Sequence, residues 1–548
     1  MPLCGAAERR ERLRMINRDD WRSLREMPGL AGCLVLGLAL LFSVACGPQG
    51  PGDATSPEPA APEAQERFEV FTDDSRFIER TLRQEGSREL SFVLLVLDTT
   101  RADRVAVRRN ECGTTPRIDE LAESALVFTN ASSPSSWTLP GHASLFSGKY
   151  PYEHGVHWTA HRNAALQEAG GFCARMSEEE VTLAEVFRSA GFVTLGVASN
   201  YWLTPSMGFA QGFDEYLVAR EGSGAKKYLM GDEITLKAAA MIRAHRSESF
   251  FLFVNLMDAH APYDPEPEAI CFSRGLPLQT DAGDGLFTGD IYGSGLRRLV
   301  NLEGYRASRS LREYLLALYD DEIRYLDLQV GRILDTLQEI GRYDDTVIVI
   351  VGDHGEYFFE HDLLNHGIGV YEAVVRVPMM IRYPPSVPAG VVAERVELID
   401  LFPTLLELAE IPVPAGSRRT FGFGVNLLDA GARHRGRAAL SETYRNPSEE
   451  GRARPEVLRT TRAVVLDGFK LIAVSDGPGE DELYDLGKDP SEESDLGSER
   501  GFDELRRLLE RQLEGLLSGV AATGAEGPPS LDPGQVERLR ALGYLGED

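Results

Sequence analysis

The residues with the clearest chemical potential cluster in Ser135–Pro151, reading SSWTLPGHASLFSGKYP. Thr138 precedes Leu139-Pro140-Gly141-His142, which predicts a helix start with Thr138 as the cap and Pro140 in the first turn. A hydroxyl at a helix N-terminus lies where backbone N–H groups and the helix dipole favour negative charge, which suits a nucleophile that attacks an anionic ester. Three predicted strands end in acidic or His residues: Asp98 after SFVLLVL, Asp258-Ala259-His260 after FFLFVNLM, and Asp353-His354-Gly355-Glu356 after TVIVIVG. In open α/β sheets, ligands gather outside the carboxyl ends of strands. Together with His366 in Asn365-His366-Gly367, these ends form a set of O and N donors suited to a divalent cation.

The elements that must position these residues follow from hydrophobic periodicity. Continuous apolar runs at Ser91–Leu97, Phe192–Ala198, Phe250–Met257, Thr346–Val351 and Val377–Tyr383 suit strands buried on both faces of a sheet. Helical patterns lie between them at Pro116–Ala125, Thr182–Ala190, Asp232–His245, Ser310–Ile340 and Asp400–Ile411. The alternation predicts an α/β sandwich with a mostly parallel central sheet. Residues 264–300, rich in Gly, Pro and Asp, read as a long loop, either a functional lid or a partly disordered segment. Thr460–Leu466 and Phe469–Val474 read as a hairpin turning at Asp467-Gly468, followed by a charged helix at Phe502–Leu517 and a surface segment at Ser518–Pro533. The expected organisation is 1–46 for export, 47–70 as a linker, 71–420 as the catalytic part, and 421–548 as a smaller α+β C-terminal part.

The chain of 548 residues carries 85 Asp and Glu against 57 Lys and Arg, a formal charge of −28. Such a chain lacks the basic field that nucleic-acid binding exchanges for counterions, so no nucleic-acid partner is expected. An anionic substrate would need local positive charge, most simply from metal ions. The six cysteines show no C-x-x-C spacing, which argues against a zinc ribbon or a thioredoxin motif. Cys112 and Cys173 could pair in an oxidising compartment or stay free. Pro28–Cys46, PGLAGCLVLGLALLFSVAC, follows a basic stretch and resembles a bacterial lipoprotein signal. That resemblance implies cleavage before Cys46 and a lipid on its thiol, with Met15 or Met27 as alternative starts; a retained membrane helix is the other reading. Either way an exported protein of the bacterial cell envelope, anchored at its N-terminus to a membrane, is expected. Residues 47–66, rich in Pro, Ala and acid, read as an extended spacer.

The chain resembles the sulfatase branch of the alkaline phosphatase superfamily. The resemblance rests on LDTTRADR at Leu97–Arg104, TLPGHASLFSGKYPYEHGV at Thr138–Val156, YDDEIRYLD at Tyr319–Asp327, VGDHGE at Val351–Glu356, VYEAVVRVPMMIR at Val370–Arg382 and DLFPTLLELAEI at Asp400–Ile411. ELYDLGKDPSE at Glu482–Glu492 and LRALGYL at Leu539–Leu545 extend it. It implies an alkaline phosphatase-like fold and one or two divalent ions, with Zn, Mn, Mg and Ca all admissible. Asp98, Asp353 and His354 would hold one metal with the Thr138 hydroxyl directed at it. Asp258, His260 and His366 match positions that bind a second metal or the substrate's anionic group. His142 and Lys149 would carry charge on the equatorial oxygens of the reacting group.

The chain also departs from the family pattern. Sulfatases carry C/S-x-P-x-R, whose Cys or Ser is oxidised to formylglycine, whereas here the positions hold Thr138 and His142. T-x-P-x-H resembles the Thr-nucleophile phosphodiesterases, nucleotide pyrophosphatases and phosphonate hydrolases of the superfamily. The expected activity is metal-dependent hydrolysis of a phosphate, phosphonate or sulfate ester through a covalent Thr138 intermediate. The substrate would be a small-molecule, glycan or lipid anionic ester. The alternatives are a sulfuric ester hydrolase in the strict sense and an envelope head-group transferase of the phosphoglycerol or phosphoethanolamine type.

Overall fold

Runs of apolar residues without alternation have no face to offer water, so they must become interior strands. In the computed structural model every residue of Ser91–Leu97, Phe250–Leu256 and Thr346–Gly352 is buried. The structure describes residues 68–71, 90–158, 173–219, 230–276, 294–412, 424–433, 436–446, 459–477 and 479–518. These all belong to one compact unit, Ala64–Asp548. The export segment with Cys46, the 47–66 spacer, residues 277–293 of the long loop, 519–533 and the LRALGYL motif lie outside the described residues. Among the described residues no helix is long and apolar enough to cross a membrane.

Ten strands form the main sheet among the described residues: β1 (Phe68–Phe71), β2 (Ser91–Leu97), β3 (Leu126–Ser132), β4 (Val193–Ala198), β5 (Glu215–Ala219), β6 (Phe250–Leu256), β7 (Thr346–Gly352), β8 (Arg376–Arg382), β9 (Gly390–Val392) and β10 (Val396–Glu397). Their order is β1-β5-β4-β6-β2-β7-β8-β3-β9, with β10 also on β3. The strands β5, β4, β6, β2 and β7 run parallel. The strand β8 runs antiparallel between β7 and β3, and β1 is an antiparallel edge. The fold is therefore the expected α/β sandwich with a mostly parallel sheet.

Two cores lie on opposite faces of this sheet because side chains alternate along each strand. Phe92, Leu94 and Val96 of β2 pack on one face with helix α1 (Thr138–Ser147), through Leu139, Ala143 and Phe146. Val93, Leu95 and Leu97 face the other side with Ile234, Ala238 and Ile242 of helix α2 (Gly231–Ala244) and Ile323, Leu326 and Val330 of helix α3 (Arg309–Glu339).

The C-terminal part is a four-stranded antiparallel sheet of β11 (Ala439–Thr443), β12 (Thr460–Leu466), β13 (Phe469–Asp476) and β14 (Glu482–Asp485), covered by helix α4 (Asp503–Leu517). Asp467 and Gly468 have φ of 49° and 80°, the two left-handed positions that a tight hairpin demands. The strand β11 reaches back to the segment before α1. The Glu442 N–H donates to Pro134 O at 2.9 Å, Ser135 Oγ donates to Glu442 O at 3.0 Å, and Ser441 Oγ donates to Ser133 O at 2.7 Å.

Two expectations are corrected here. The 264–300 loop is helical from Ser294 as part of Ser294–Glu303. Its first part is held down by consecutive acids of α3: Asp321 accepts the N–H groups of Cys271, Phe272 and Ser273, and Glu322 accepts that of Asp264. Cys112 pairs with Cys271, at a Cα–Cα distance of 5.9 Å, not with Cys173. Cys173 is a free buried thiol, its pKa pushed up to about 12 by burial. A bridge across 159 residues restricts the unfolded chain strongly. Cys271→Ser is expected to lose about 2–5 kcal/mol of stability, read as a fall in thermal midpoint that reductant reproduces in the native chain. An unchanged midpoint would show that the bridge adds nothing.

Candidate active site

Register decides which strand-end residues meet. Leu97 of β2 lies opposite Leu256 of β6 and Gly352 of β7. Asp98 and Asp353, each one residue beyond, emerge side by side on the face that carries α1. Asp258 is two residues beyond Leu256, and a one-residue offset sends a side chain to the other face. There it accepts the Gly231 N–H at 2.8 Å at the start of α2. The expected grouping of Asp258 with a second metal is therefore corrected: it holds a helix start on the opposite side of the sheet.

The same parity explains two residues that the sequence reading missed. Ala198 pairs with Asn255, and Asn255 lies level with Val96, so Asn255 and Asn200 share the face of Asp98. Asn200 Nδ2 donates to Asp98 Oδ2 at 2.8 Å and to Thr138 Oγ1 at 3.1 Å. Asn255 Nδ2 donates to the same Asp98 oxygen at 3.2 Å. A polar residue inside the otherwise apolar FFLFVNLM was the available signal.

Thr138 is the first helical residue of α1 and Trp137 is the cap, so the expected capping role of Thr138 is also corrected. Its hydroxyl is thereby left to the site, where Oγ1 lies 3.3 Å from His354 Nε2. A Cβ on Gly141 would come within 3.2 Å of Asp353 O, so glycine lets the first turn of α1 press against the β7 end. His142 lies one turn along. Its Nδ1–H donates to Thr138 O at 3.0 Å and lies 3.4 Å from Asp353 Oδ2, with the ring set against Phe209 and Phe253. Burial lowers the His142 pKa to about 4, so it is a neutral support beneath Asp353. Lys149 is placed elsewhere. Beyond the far end of α1, about 15 Å along the axis from Thr138, its Nζ pairs with Glu180 Oε2 at 2.6 Å.

Asp98, Asp353 and His354 are fully buried, with donor atoms within 4.8 Å of one another. One oxygen of each carboxylate is occupied: Asp98 Oδ2 by the two asparagines, and Asp353 Oδ1 by the Thr99 and His354 N–H groups at 3.1 and 2.8 Å. The other two, Asp98 Oδ1 and Asp353 Oδ2, have no hydrogen-bond partner. His354 Nδ1–H is spent on Gly355 O at 2.9 Å, which leaves the Nε2 lone pair 3.4 Å from Asp353 Oδ2 and 3.9 Å from Asp98 Oδ1. Burial, then the charge of Asp98, pushes Asp353 well above the carboxylate range. Burial opposes ionisation of Asp98 too, but its pKa is held below the usual carboxylate range, with the Asn200 amide hydrogen bond among the groups that favour the ionised form. Burial lowers the His354 pKa to about 3, so its ring is neutral. Two bare carboxylate oxygens facing a neutral imidazole nitrogen fit a hard or borderline divalent cation. Among the described residues this is the one such group of three.

His260 and His366 stand beside this group. The His366 ring is 4.5 Å from that of His354 and 5.0 Å from that of His260. Glu356 orients His366 through Nδ1 at 2.9 Å and accepts Tyr263 Oη–H at 3.2 Å. Burial raises the Glu356 pKa to about 7. His366 also lines a cavity of about 330 Å³ with Trp137, Trp158, Trp202, Arg297 and Arg459. The indoles of Trp137 and Trp158 stack at 4.7 Å, and Trp202 meets both edge-on. This aromatic cavity begins at the residue before Thr138.

Comparison with known proteins agrees with this geometry. A family profile described as Sulfatase matches residues 91–411, and one described as N-sulphoglucosamine sulphohydrolase, C-terminal, matches residues 360–518. An arylsulfatase of Clostridium perfringens is 24% identical over 489 residues, spanning 78% of this chain and 95% of its own. Human arylsulfatase A is 25% identical over 503 residues, spanning 84% and 94%. Among solved structures, a protein in complex with its substrate D-glucosamine-2-N,6-O-disulfate shares the fold with a TM-score of 0.59 at 18% identity, over 78% of this chain and 97% of that one. A 2-O GAG sulfatase does so with a TM-score of 0.57 at 19% identity, over 78% and 92%. With a sulfatase profile spanning more than half its length, the chain belongs to the sulfatase family of the alkaline phosphatase-like superfamily and is an ester-bond hydrolase.

Proposed function

We propose that Thr138 is the covalent nucleophile of this hydrolase, acting on a phosphate or phosphonate ester beside one divalent cation held by Asp98, Asp353 and His354. The observation that carries the reading is the position of Thr138 Oγ1. It sits at a helix N-terminus, 3.3 Å from His354 Nε2, and shares the Asn200 amide with Asp98. The cation, when bound, would lower the pKa of the hydroxyl facing it and offset charge on the reacting group.

The side chains then have distinct tasks. Asn200 holds Oγ1 in place. Oγ1 attacks phosphorus, a Thr138 O–P bond forms, and the bond from phosphorus to the alcohol oxygen breaks in line. The proton lost by Thr138 is matched by the one the departing alcohol takes up. His366 and His260, the imidazoles outside the cation's donor set, are placed to carry it. Water then attacks phosphorus, the Oγ1–P bond breaks, and Thr138 regains its proton as the anion leaves.

The preference for phosphorus follows from the side chain. Oxidation of a threonine would give a ketone and not the formylglycine aldehyde, so no aldehyde hydrate is available to expel sulfate. A sulfate ester is the second reading, favoured by the family profile and by the single three-residue donor group. The aromatic cavity supports a ring-bearing alcohol such as a glycan unit, since stacked indoles offer flat apolar faces. We also place the enzyme outside the cytoplasm, lipid-anchored through Cys46. The Cys112–Cys271 bridge supports an oxidising compartment.

Three measurements check this reading. The full chain is offered p-nitrophenyl sulfate, p-nitrophenyl phosphate, bis-p-nitrophenyl phosphate and a phosphonate monoester. The phosphorus esters are expected to turn over, and Thr138→Ala is expected to lower kcat at least about 1,000-fold. Sulfate-only turnover would overturn the preference for phosphorus, a transferred head group in place of free anion would overturn hydrolysis, and activity surviving in Thr138→Ala would remove the nucleophile. A chelator is expected to abolish turnover and Mn²⁺, Zn²⁺, Mg²⁺ or Ca²⁺ to restore it, whereas Asp353→Asn should need far more metal for half-maximal rate. Finally, cells fed a clickable fatty acid should label the native chain but not Cys46→Ser; equal labelling would exclude a lipid on that thiol.

A further inference from the structure

A second cavity, of about 560 Å³, lies between the edge of the main sheet and the C-terminal sheet. It shares no lining residue with the aromatic cavity beside Thr138. Four arginines line it: Arg376 at the start of β8, Arg395 just before β10, and Arg433 and Arg437 from the connection leading to β11. Only three carboxylates, Glu372, Glu394 and Asp467, share that lining. Glu372 is already taken by Arg395 at 2.8 Å and by Lys470 at 3.0 Å. Arg437 is neutralised from behind by Glu397 at 2.6 Å and Asp400 at 2.7 Å.

Arg376 and Arg433 are different. Arg376 donates through Nε and Nη2 to the carbonyl of Thr129, and Arg433 donates through Nη1 to that of Leu427. Among the described residues neither meets a carboxylate. The Nε atoms of Arg395 and Arg433 are buried without an acceptor. These two arginines are turned to backbone carbonyls in a chain with 85 acidic and 57 basic residues. The segment itself is dense in cations, since Arg433, Arg435 and Arg437 fall within five residues. A guanidinium is a planar fork of donors that fits the edge of an oxyanion, and a buried N–H without an acceptor costs stability until one arrives.

We propose that this cavity is a second anion site, which takes a tetrahedral oxyanion of the sulfate or phosphate class between Arg376 and Arg433. The anion is either free or the terminal group of a sugar or lipid. It adds the acceptors that the cavity lacks and joins the main sheet to the sheet whose first strand holds the segment before Thr138. It does not depend on which ester Thr138 attacks.

Equilibrium dialysis of the full chain against labelled inorganic sulfate and phosphate tests this, with Thr138→Ala as the background so that turnover is absent. Arg376→Gln/Arg433→Gln in that background is expected to lose one binding component, with affinity at least about tenfold weaker. With Thr138 intact, the same double substitution should hydrolyse a small aryl ester within about twofold of the native rate, which also shows that it folds. Glucose 6-sulfate and phosphatidic acid vesicles serve as competitors. Displacement by the sugar or by the vesicles assigns the anion to that source, and displacement by neither assigns the free ion. Should the double variant fail to fold, the single variants Arg376→Gln and Arg433→Gln take its place, and each must weaken the component. Sulfate and phosphate binding that is unchanged in these variants would overturn the proposal.

Discussion

The alignment of β2 with β6 and β7 is the constraint from which the site follows. Leu97, Leu256 and Gly352 are level, so the next residues of β2 and β7 put two fully buried carboxylates side by side. Left alone, that pair is unfavourable, since burial disfavours charge and each carboxylate disfavours it further on the other. The surroundings only partly relieve it. Two asparagines and two backbone N–H groups satisfy one oxygen of each, and the facing oxygens are left bare. A fold that keeps such a pair without a compensating side chain has built a receptacle for positive charge. The nearest imidazole presents a lone pair, not a proton, to the same point.

The hydroxyl that faces this point is held from three directions. The helix supplies its N-terminal field, Asn200 links Oγ1 to Asp98, and the segment before the helix is tied to β11 through Pro134, Ser135 and Ser133. The last link gives the C-terminal sheet a share in the placement of the Thr138 hydroxyl. Glu442 is its hinge. It is fully buried, its N–H and C=O hold the segment before α1, and its carboxylate accepts the Tyr152 N–H at 3.0 Å and pairs with Arg462 at 2.8 Å. Small displacements of this sheet would therefore reach Oγ1 through a short path of one backbone and two serine-hydroxyl hydrogen bonds.

Much of this was legible in the sequence, for identifiable reasons. The buried strands announced themselves because continuous apolar runs have few other fates, and Asp98, Asp353 and His354 follow two of them directly. Thr138 was legible from Pro140 and Gly141 close behind it, although its role as cap was not its role in the structure. What failed was whatever depends on pairing between distant segments. Asp258 follows a strand of the same kind as Asp98, and only its offset of two residues past the paired position sends it to α2. Asn200 and Asn255 matter because two separate strands bring them level, which no local pattern encodes. Lys149 sits close to Thr138 in number, but a ten-residue helix carries it away to Glu180. The Cys112–Cys271 pairing and the short strands β11 and β14 are likewise long-range outcomes.

The overall charge of −28 might suggest a surface hostile to an anionic ester. Screening limits that argument, since at physiological ionic strength the field of exposed charges fades within about 8 Å. What an anion meets inside the site is the local set. His260 and His366 flank the cation group, and Arg297 and Arg459 line the cavity beyond. These groups are partly buried, so they act at a lower effective dielectric than the acids on the surface. The acidic exterior and an interior lined with His and Arg are thus compatible: the first governs solubility and long-range encounter, the second the charge found next to Thr138. The aromatic wall that begins at Trp137 lies in direct sequence continuity with the Thr138 hydroxyl, so one short segment of chain, the cap and the first turn of α1, places both.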